Sequence, residues 1–213
     1  MSVRRFGLIS EADARVLEPG TTVELEPGGH VTPLARDTLR ARRVTVVPAG
    51  SVDPTLPADL APVAAIARVA IGGDHTGVAL KTALVERLRR AGKAVDDCGT
   101  SGGDPVDYPD VAAAVGRAVA RGEADAGIVI DGAGLGSAIA ANMIRGVRAA
   151  MCTTPTLARY AREHTGANVL ALGATLVSAA EASEIVETFL STPMREARYI
   201  RRLLKVRRLE DGF

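Results

Sequence analysis

The apolar positions along the chain change period several times: short runs apolar at every or every second position give way to longer runs repeating every three to four residues. The short runs predict strands over Arg68 to Gly72, Ala94 to Cys98, Ala126 to Asp131, Gly146 to Cys152 and Val169 to Leu172. The longer runs predict helices over Gly77 to Ala91, Tyr108 to Arg121, Leu135 to Met143, Pro155 to Glu163 and Ser178 to Leu190. A basic helix from Arg195 to about Arg208 follows. The run GIVIDG is apolar without interruption up to an acid, the pattern of a central parallel strand covered on both faces. Strands alternating with helices at this spacing predict an α/β protein, a Rossmann-like or flavodoxin-like doubly wound sheet of about five parallel strands. Ligands of such sheets bind beyond the carboxyl ends of the strands, which tells us where to look for chemistry.

Upstream the pattern is different. Residues 1–47 carry a cap signal at Ser10 (SEAD) and turn signals at Pro19-Gly20 and Pro27-Gly28-Gly29. They predict a small extension with a short helix, a few strands and little core. The stretch PAGSVDPTLPADLAP holds four of the chain's 11 prolines. Each fixes its own φ and steers the preceding residue away from helix, so 48–66 reads as an extended linker to a main domain over 67–213.

Composition narrows the function. A net charge of +1 over 213 residues offers no bulk field for a nucleic acid or a membrane surface. With 3% aromatic residues and no Trp, few rings are left on which unpaired bases could stack. Cys98 and Cys152 are too few for a disulfide framework and lack the paired spacing of a zinc site, so a cytoplasmic protein is expected. The amino terminus MSVRRFGLISEADARV has no long apolar stretch, and no run approaches the roughly 18 residues that span a bilayer.

The chemistry-bearing residues gather at the predicted strand ends. Gly72-Gly73-Asp74-His75-Thr76-Gly77 precedes a helix, whose first N–H groups could face an anion; Asp74 and His75 could equally be a cap and its solvated neighbour. Asp131-Gly132-Ala133-Gly134-Leu135-Gly136-Ser137 ends the central strand. Its alternating glycines can turn successive N–H groups into a nest for a phosphate or an oxyanion, or can serve only tight strand-to-helix packing. Asp131 beside that nest is a candidate base. His164, before the fifth strand, adds an imidazole near the same rim, although a lone His at a helix end is more often a cap or surface residue. Arg198 and Arg202 stand four apart on one helix face, where a solvated face, a nucleic-acid patch and a phosphate clamp are all open readings.

Taken in order, GGDHTG at 72–77, DYPD at 107–110, GxGxGxAIAAN at 132–142, AREHTGANVLALG at 161–173 and the arginine pair at 198 and 202 resemble the type B ribose-5-phosphate isomerases and galactose-6-phosphate isomerases. The resemblance implies a Rossmann-like fold, an aldose–ketose isomerase of a small phosphorylated sugar working through an enediolate, and no metal or other cofactor. It also implies a homodimer or dimer of dimers with active sites at the subunit interface. Carried over residue by residue, Asp74 and His164 would assist ring opening, and His75 would lie on the phosphate side. Tyr108 and Asn142 would line the pocket, Gly132, Gly134 and Gly136 would form the oxyanion nest, and Arg198 and Arg202 of a partner subunit would hold the phosphate.

The chain departs from that pattern in places. Asp131 stands where many members have a cysteine base, and Ser137 stands where others have a glutamate. Ala133 replaces a threonine, Thr165-Gly166 replaces Asn-Asp, and Thr175 replaces an arginine after the fifth strand. Asp131 is then the expected base; a non-catalytic member that binds sugar phosphate or pairs with an active paralogue is the competing expectation. ISEADARVLEPG and VTPLARDTLR in the amino-terminal piece resemble short segments on bacterial-microcompartment enzymes, which implies a shell or cargo partner. An extension lying across a dimer is the other reading.

Overall fold

The computed structural model describes residues 4–49, 65–194 and 196–212. Most of the predicted linker, positions 50–64, lies outside the described residues, as does Arg195 at the predicted start of the basic helix. The chain divides into two compact units, one of residues 1–58 with 195–201 and one of residues 59–194 with 202–213.

The smaller unit is a three-stranded parallel sheet, β1 (Arg5–Ile9), β2 (Thr22–Val31) and β3 (Thr45–Pro48), connected by α1 (Glu11–Val16) and α2 (Pro33–Ala41) in the order β1-β2-β3. Ser10 and Asp13 form a reciprocal capping box at α1, and Thr32 caps α2 with Pro33 in its first turn. In place of little core, Ile9, Ala14, Leu17, Val23, Val31, Ala35, Leu39 and Val44 form a buried cluster. The turn expected at Pro27-Gly28-Gly29 is absorbed within β2. The pairing slips there, from Phe6 opposite Leu25 to Leu8 opposite His30, with Gly28 at φ +78° taking up the irregularity.

The larger unit carries β4 (Arg68–Gly73), α3 (Val78–Arg90), β5 (Ala94–Asp97), α4 (Tyr108–Ala120), β6 (Ala126–Asp131), α5 (Leu135–Asn142), β7 (Ala149–Met151), α6 (Pro155–Thr165), β8 (Val169–Gly173) and α7 (Ala179–Ser191). The last helix, α8 (Ala197–Glu210), has its second half in this unit. All five strands are parallel in the order β5-β4-β6-β8-β7, the doubly wound plan expected from the sequence. The two faces bury different clusters. Ile71, Leu84, Ile128, Leu170 and Phe189 belong to the cluster on the side of α3, α6 and α7. Val115, Ala141, Val129 and Val169 belong to the cluster on the side of α4 and α5. Each central strand therefore needs apolar residues on both faces, which is why GIVID reads as continuous. Because the chain runs outward from β4 to β5 and returns to β6, the topological switch lies between β4 and β6, and it sets the ends of those strands, Asp74 and Asp131, side by side.

Candidate active site

The amide of Asp74 continues the ladder past the end of β4 by donating to the Ile130 carbonyl at 3.1 Å. The Asp74 side chain, 6% exposed, turns back on its own loop. Its Oδ1 accepts from the Thr76 amide at 2.9 Å, the Thr76 hydroxyl at 2.6 Å and the Gly77 amide at 3.2 Å. Both readings of this hexapeptide therefore apply to one residue: Oδ1 caps the turn into α3, and Oδ2 remains for other chemistry. Thr76, which the sequence reading passed over, is the residue that orients it, and its place two residues after an Asp is the spacing of an Asx turn. His75 is exposed, and its Nδ1 accepts from the Val106 amide at 3.2 Å. That bond makes Nε2 the protonated nitrogen of the neutral ring and aims a donor outward.

Tyr108 opens α4 and lays its ring on the first turn of α5, where a Cβ on Gly136 would fall 2.6 Å from the ring. Gly136 is thus required by close packing. Gly134 has φ +76°, and a side chain there would collide with the backbone of Leu172 and Gly173. The Gly132 carbonyl accepts from both the amide and the hydroxyl of Thr175, at 3.0 and 2.7 Å. Thr175, standing where the resembling family has an arginine, is a strut that ties the nest to the end of β8.

Asp131, 5% exposed, sits at the centre of this loop. Its Oδ1 accepts from the amides of Ala133 at 2.8 Å and Gly134, and its Oδ2 accepts from the Ser137 amide at 2.8 Å. Burial by itself raises the Asp131 carboxyl. The hydroxyl and amide of Ser137 and the amides of Gly134 and Ala133 outweigh it, holding the group below the usual aspartate range. The nest is real, and the anion in it is the protein's own. A base and an oxyanion cradle sharing these donors cannot both be available in this one arrangement, which corrects the expectation of two simultaneous roles.

Four expected site residues, His164, Asn142, Arg198 and Arg202, lie elsewhere. Both α5 and α6 run antiparallel to the strands, so their last turns reach the amino rim of the sheet, the end opposite Asp74 and Asp131. His164 is in the last turn of α6, stacked on Tyr160 with ring centroids 4.7 Å apart. It is not near the rim that carries Asp131. Asn142 ends α5, and its amide group bonds the Ala138 and Ala149 carbonyls and the Ala149 amide, anchoring β7. These bonds hold the edge strand in register and place Asn142 at the amino rim, away from Asp131 of the same chain. Arg202 precedes Leu203, whose side chain packs at Gly166 before β8, so Arg202 also belongs to the amino end. Arg198 falls in the smaller unit, where it pairs with Glu196 and donates to the Tyr199 hydroxyl.

The amino rim also holds a cleft of about 790 Å³ whose lining includes Arg68, Asn142, Arg145, Arg148, Asn168 and Arg207. Several of these serve carbonyls: Arg68 donates to Gly122, Arg148 to Gly166 and Asn168 to Gly146. Cys98 is half-buried, and Cys152 is buried. Burial, joined at Cys98 by the Asp96 carboxylate, pushes both thiols up to about 11, so neither is poised as a thiolate base. Among the described residues no cluster of His, Cys, Asp and Glu is arranged to hold a metal ion, and no helix is long and apolar enough to cross a membrane.

Residues 69–206 match the family described as Ribose/Galactose Isomerase. This chain belongs to that family. Ribose-5-phosphate isomerase B of Escherichia coli (strain K12) is 39% identical over 144 residues, covering 68% of this chain and 97% of that protein. Among solved structures, ribose-5-phosphate isomerase B of Clostridium thermocellum superposes with a TM-score of 0.67 at 44% identity, over 68% of this chain and 97% of the other. That of Mycoplasma genitalium with bound ribulose-5-phosphate gives 0.66 at 37% identity, over 68% and 97%. The ribose/galactose isomerase match takes in the doubly wound sheet from Val69 in β4 onward and α8 as far as Val206.

Proposed function

We propose that this chain interconverts a small phosphorylated aldose and its ketose, of the ribose 5-phosphate to ribulose 5-phosphate type, through an enediolate. One observation carries the reading: in a ribose/galactose isomerase fold, two carboxylates and a convergent set of backbone donors meet at the switch between β4 and β6. Moving a hydrogen between adjacent carbons needs a carboxylate to shuttle the proton and donors to hold the charge that forms on oxygen. Asp74, through Oδ2, with His164 of a second copy, assists ring opening; Asp131 shuttles the proton. His75, Tyr108 and Ser137 border the bound sugar, and Arg198 and Arg202 of the second copy hold the phosphate.

The separation of the rims supports a homodimer or dimer of dimers. His164 and Arg202 sit at the end of the sheet away from Asp131, so they reach a carboxyl rim only in another copy. Leu135 and Ile139 of α5 and Met143 at its C-cap make an exposed apolar stripe, at 58, 67 and 74% exposure, beginning beside the site; it is suited to pack against its own equivalent. Residues 1–47 serve placement, docking onto a microcompartment shell or cargo partner through exposed Leu8, Val16 and Leu34. Changing those three residues to Glu in the full chain should release it from such an assembly while leaving turnover intact.

The competing reading, a non-catalytic sugar-phosphate binder, draws support from the full engagement of the Asp131 carboxylate. A coupled assay of the purified protein against ribose 5-phosphate, its allose and galactose counterparts and four-carbon sugar phosphates separates the two. Turnover of one of them establishes the isomerase; binding of one without turnover of any establishes the binder.

A further inference from the structure

Resting on the isomerase reading, we propose that Asp131 and the substrate oxygen exchange places on one set of donors. The carboxylate leaves the amides of Ala133, Gly134 and Ser137, the substrate carbonyl oxygen takes them, and the freed carboxylate removes the adjacent C–H proton.

Three observations carry the exchange. The donors are saturated, because each amide makes one hydrogen bond and each is spent on Asp131. They are also fixed independently of Asp131. Gly134 abuts the Leu172 and Gly173 backbone, Gly173 abuts Ala133, and Thr175 holds the Gly132 carbonyl by two bonds, so the cradle persists when its occupant leaves. Finally, there is room beside Asp131 at Gly132: among the described residues other than its chain neighbours, only the Thr76 hydroxyl lies within 4 Å of where a Cβ would sit, and the exchange places the displaced carboxylate on that side.

Exchange couples two requirements of the reaction. The bonds that hold Asp131 in the nest are those that suppress its basicity, so the group becomes a stronger base only once substrate has displaced it. Starting from the aldose, Asp131 takes the C2 proton, the C2–H pair forms the C1–C2 double bond, and the carbonyl pair moves onto O1 as the oxyanion now held by the nest. The O2 proton passes to O1, Asp131 returns its proton to C1, and the O2 pair closes the ketone; no other reactant is consumed.

The test compares wild type, Asp131→Ala and Asp131→Asn as full chains. Probes are inorganic phosphate and a hydroxamate analogue of the five-carbon enediolate, read by calorimetric titration and by Tm. With the internal anion removed, Asp131→Ala should bind the hydroxamate about 10-fold or more tightly than wild type, the equivalent of one charge-assisted hydrogen bond recovered, while losing turnover. Its Tm should climb with added phosphate far more steeply than that of wild type. Asp131→Asn, which keeps one carbonyl oxygen for the nest, should fall between them and stands in if the Ala variant does not fold. A folded variant whose hydroxamate affinity and phosphate-dependent Tm match or fall below wild type overturns the exchange. Failure of the isomerase reading shows separately, as wild type that turns over no sugar phosphate; the phosphate-dependent Tm then still decides whether Asp131 occupies an exchangeable anion site.

Discussion

The two rims of the large sheet solve the same electrostatic problem with opposite charges. At the carboxyl rim, loops lead into the amino termini of α3 and α5, and carboxylates meet the N–H groups there: Asp74 accepts from Thr76 and Gly77, Asp131 from Ala133, Gly134 and Ser137. At the amino rim, helices end in unpaired carbonyls, and cations and amides meet them, as Arg68 does at Gly122, Arg148 and Arg162 around Gly166 and Ala167, and Asn168 at Gly146. A carboxylate or arginine at either rim is first a helix-end partner. What separates a site from a cap is whether capacity remains, as at Asp74 Oδ2, or whether the partner can be displaced, as proposed for Asp131.

This contrast orders the expected effects of substitution. Asp131→Asn should lower kcat at least about 100-fold, the low end for loss of a general base, and activity within a few fold of wild type would remove Asp131 from the proton transfer. Arg202→Ala should act mainly on KM, raising it about 10-fold or more through one lost charge-assisted contact to phosphate, with kcat nearly unchanged. A pure kcat defect would place Arg202 elsewhere in the mechanism. Asn142→Ala, at the amino rim, should cost about 1–2 kcal/mol in denaturant unfolding by freeing β7, yet leave kcat/KM of the folded enzyme within a few fold. A large loss of kcat/KM without loss of stability would restore Asn142 to the pocket.

The smallest effect is on acid stability. Because the folded-state value of Asp131 is depressed, its contribution is present above the ordinary aspartate value of about 3.9 and is lost as pH falls through the lower folded value. Wild type should therefore lose Tm more steeply than Asp131→Asn below about pH 4, and parallel curves would mean that the carboxylate bonds add no pH-dependent stability.

The same contrast explains what could be read from the sequence. Strand and helix alternation from Arg68 onward, and the acids closing β4 and β6, follow from periodicity, because burial on both faces leaves few alternatives. The rim of His164 is not legible from its neighbours in sequence: in a βαβ unit the helix runs back, so residues just before a strand belong to the amino rim, however close they stand to motif residues. The occupation of the nest by Asp131 depends on which of two anions sits in one cradle, and spacing cannot distinguish them. In the smaller unit, Pro27-Gly28-Gly29 looks like an end to a strand, whereas parallel pairing with Leu8 and Ile9 carries β2 through it as far as Val31.

The central claim is that a carboxyl rim of one copy works with the amino rim of another, and subunit mixing tests it most directly. Asp131→Asn and His164→Ala chains, each nearly inactive alone, are co-refolded and verified as heterodimers by differential tagging. If each site draws Asp131 from one chain and His164 from the other, random mixing places one intact site in half of the dimers and should restore about a quarter of wild-type activity. No recovery in verified heterodimers would contradict the account and place both residues in the same chain's site.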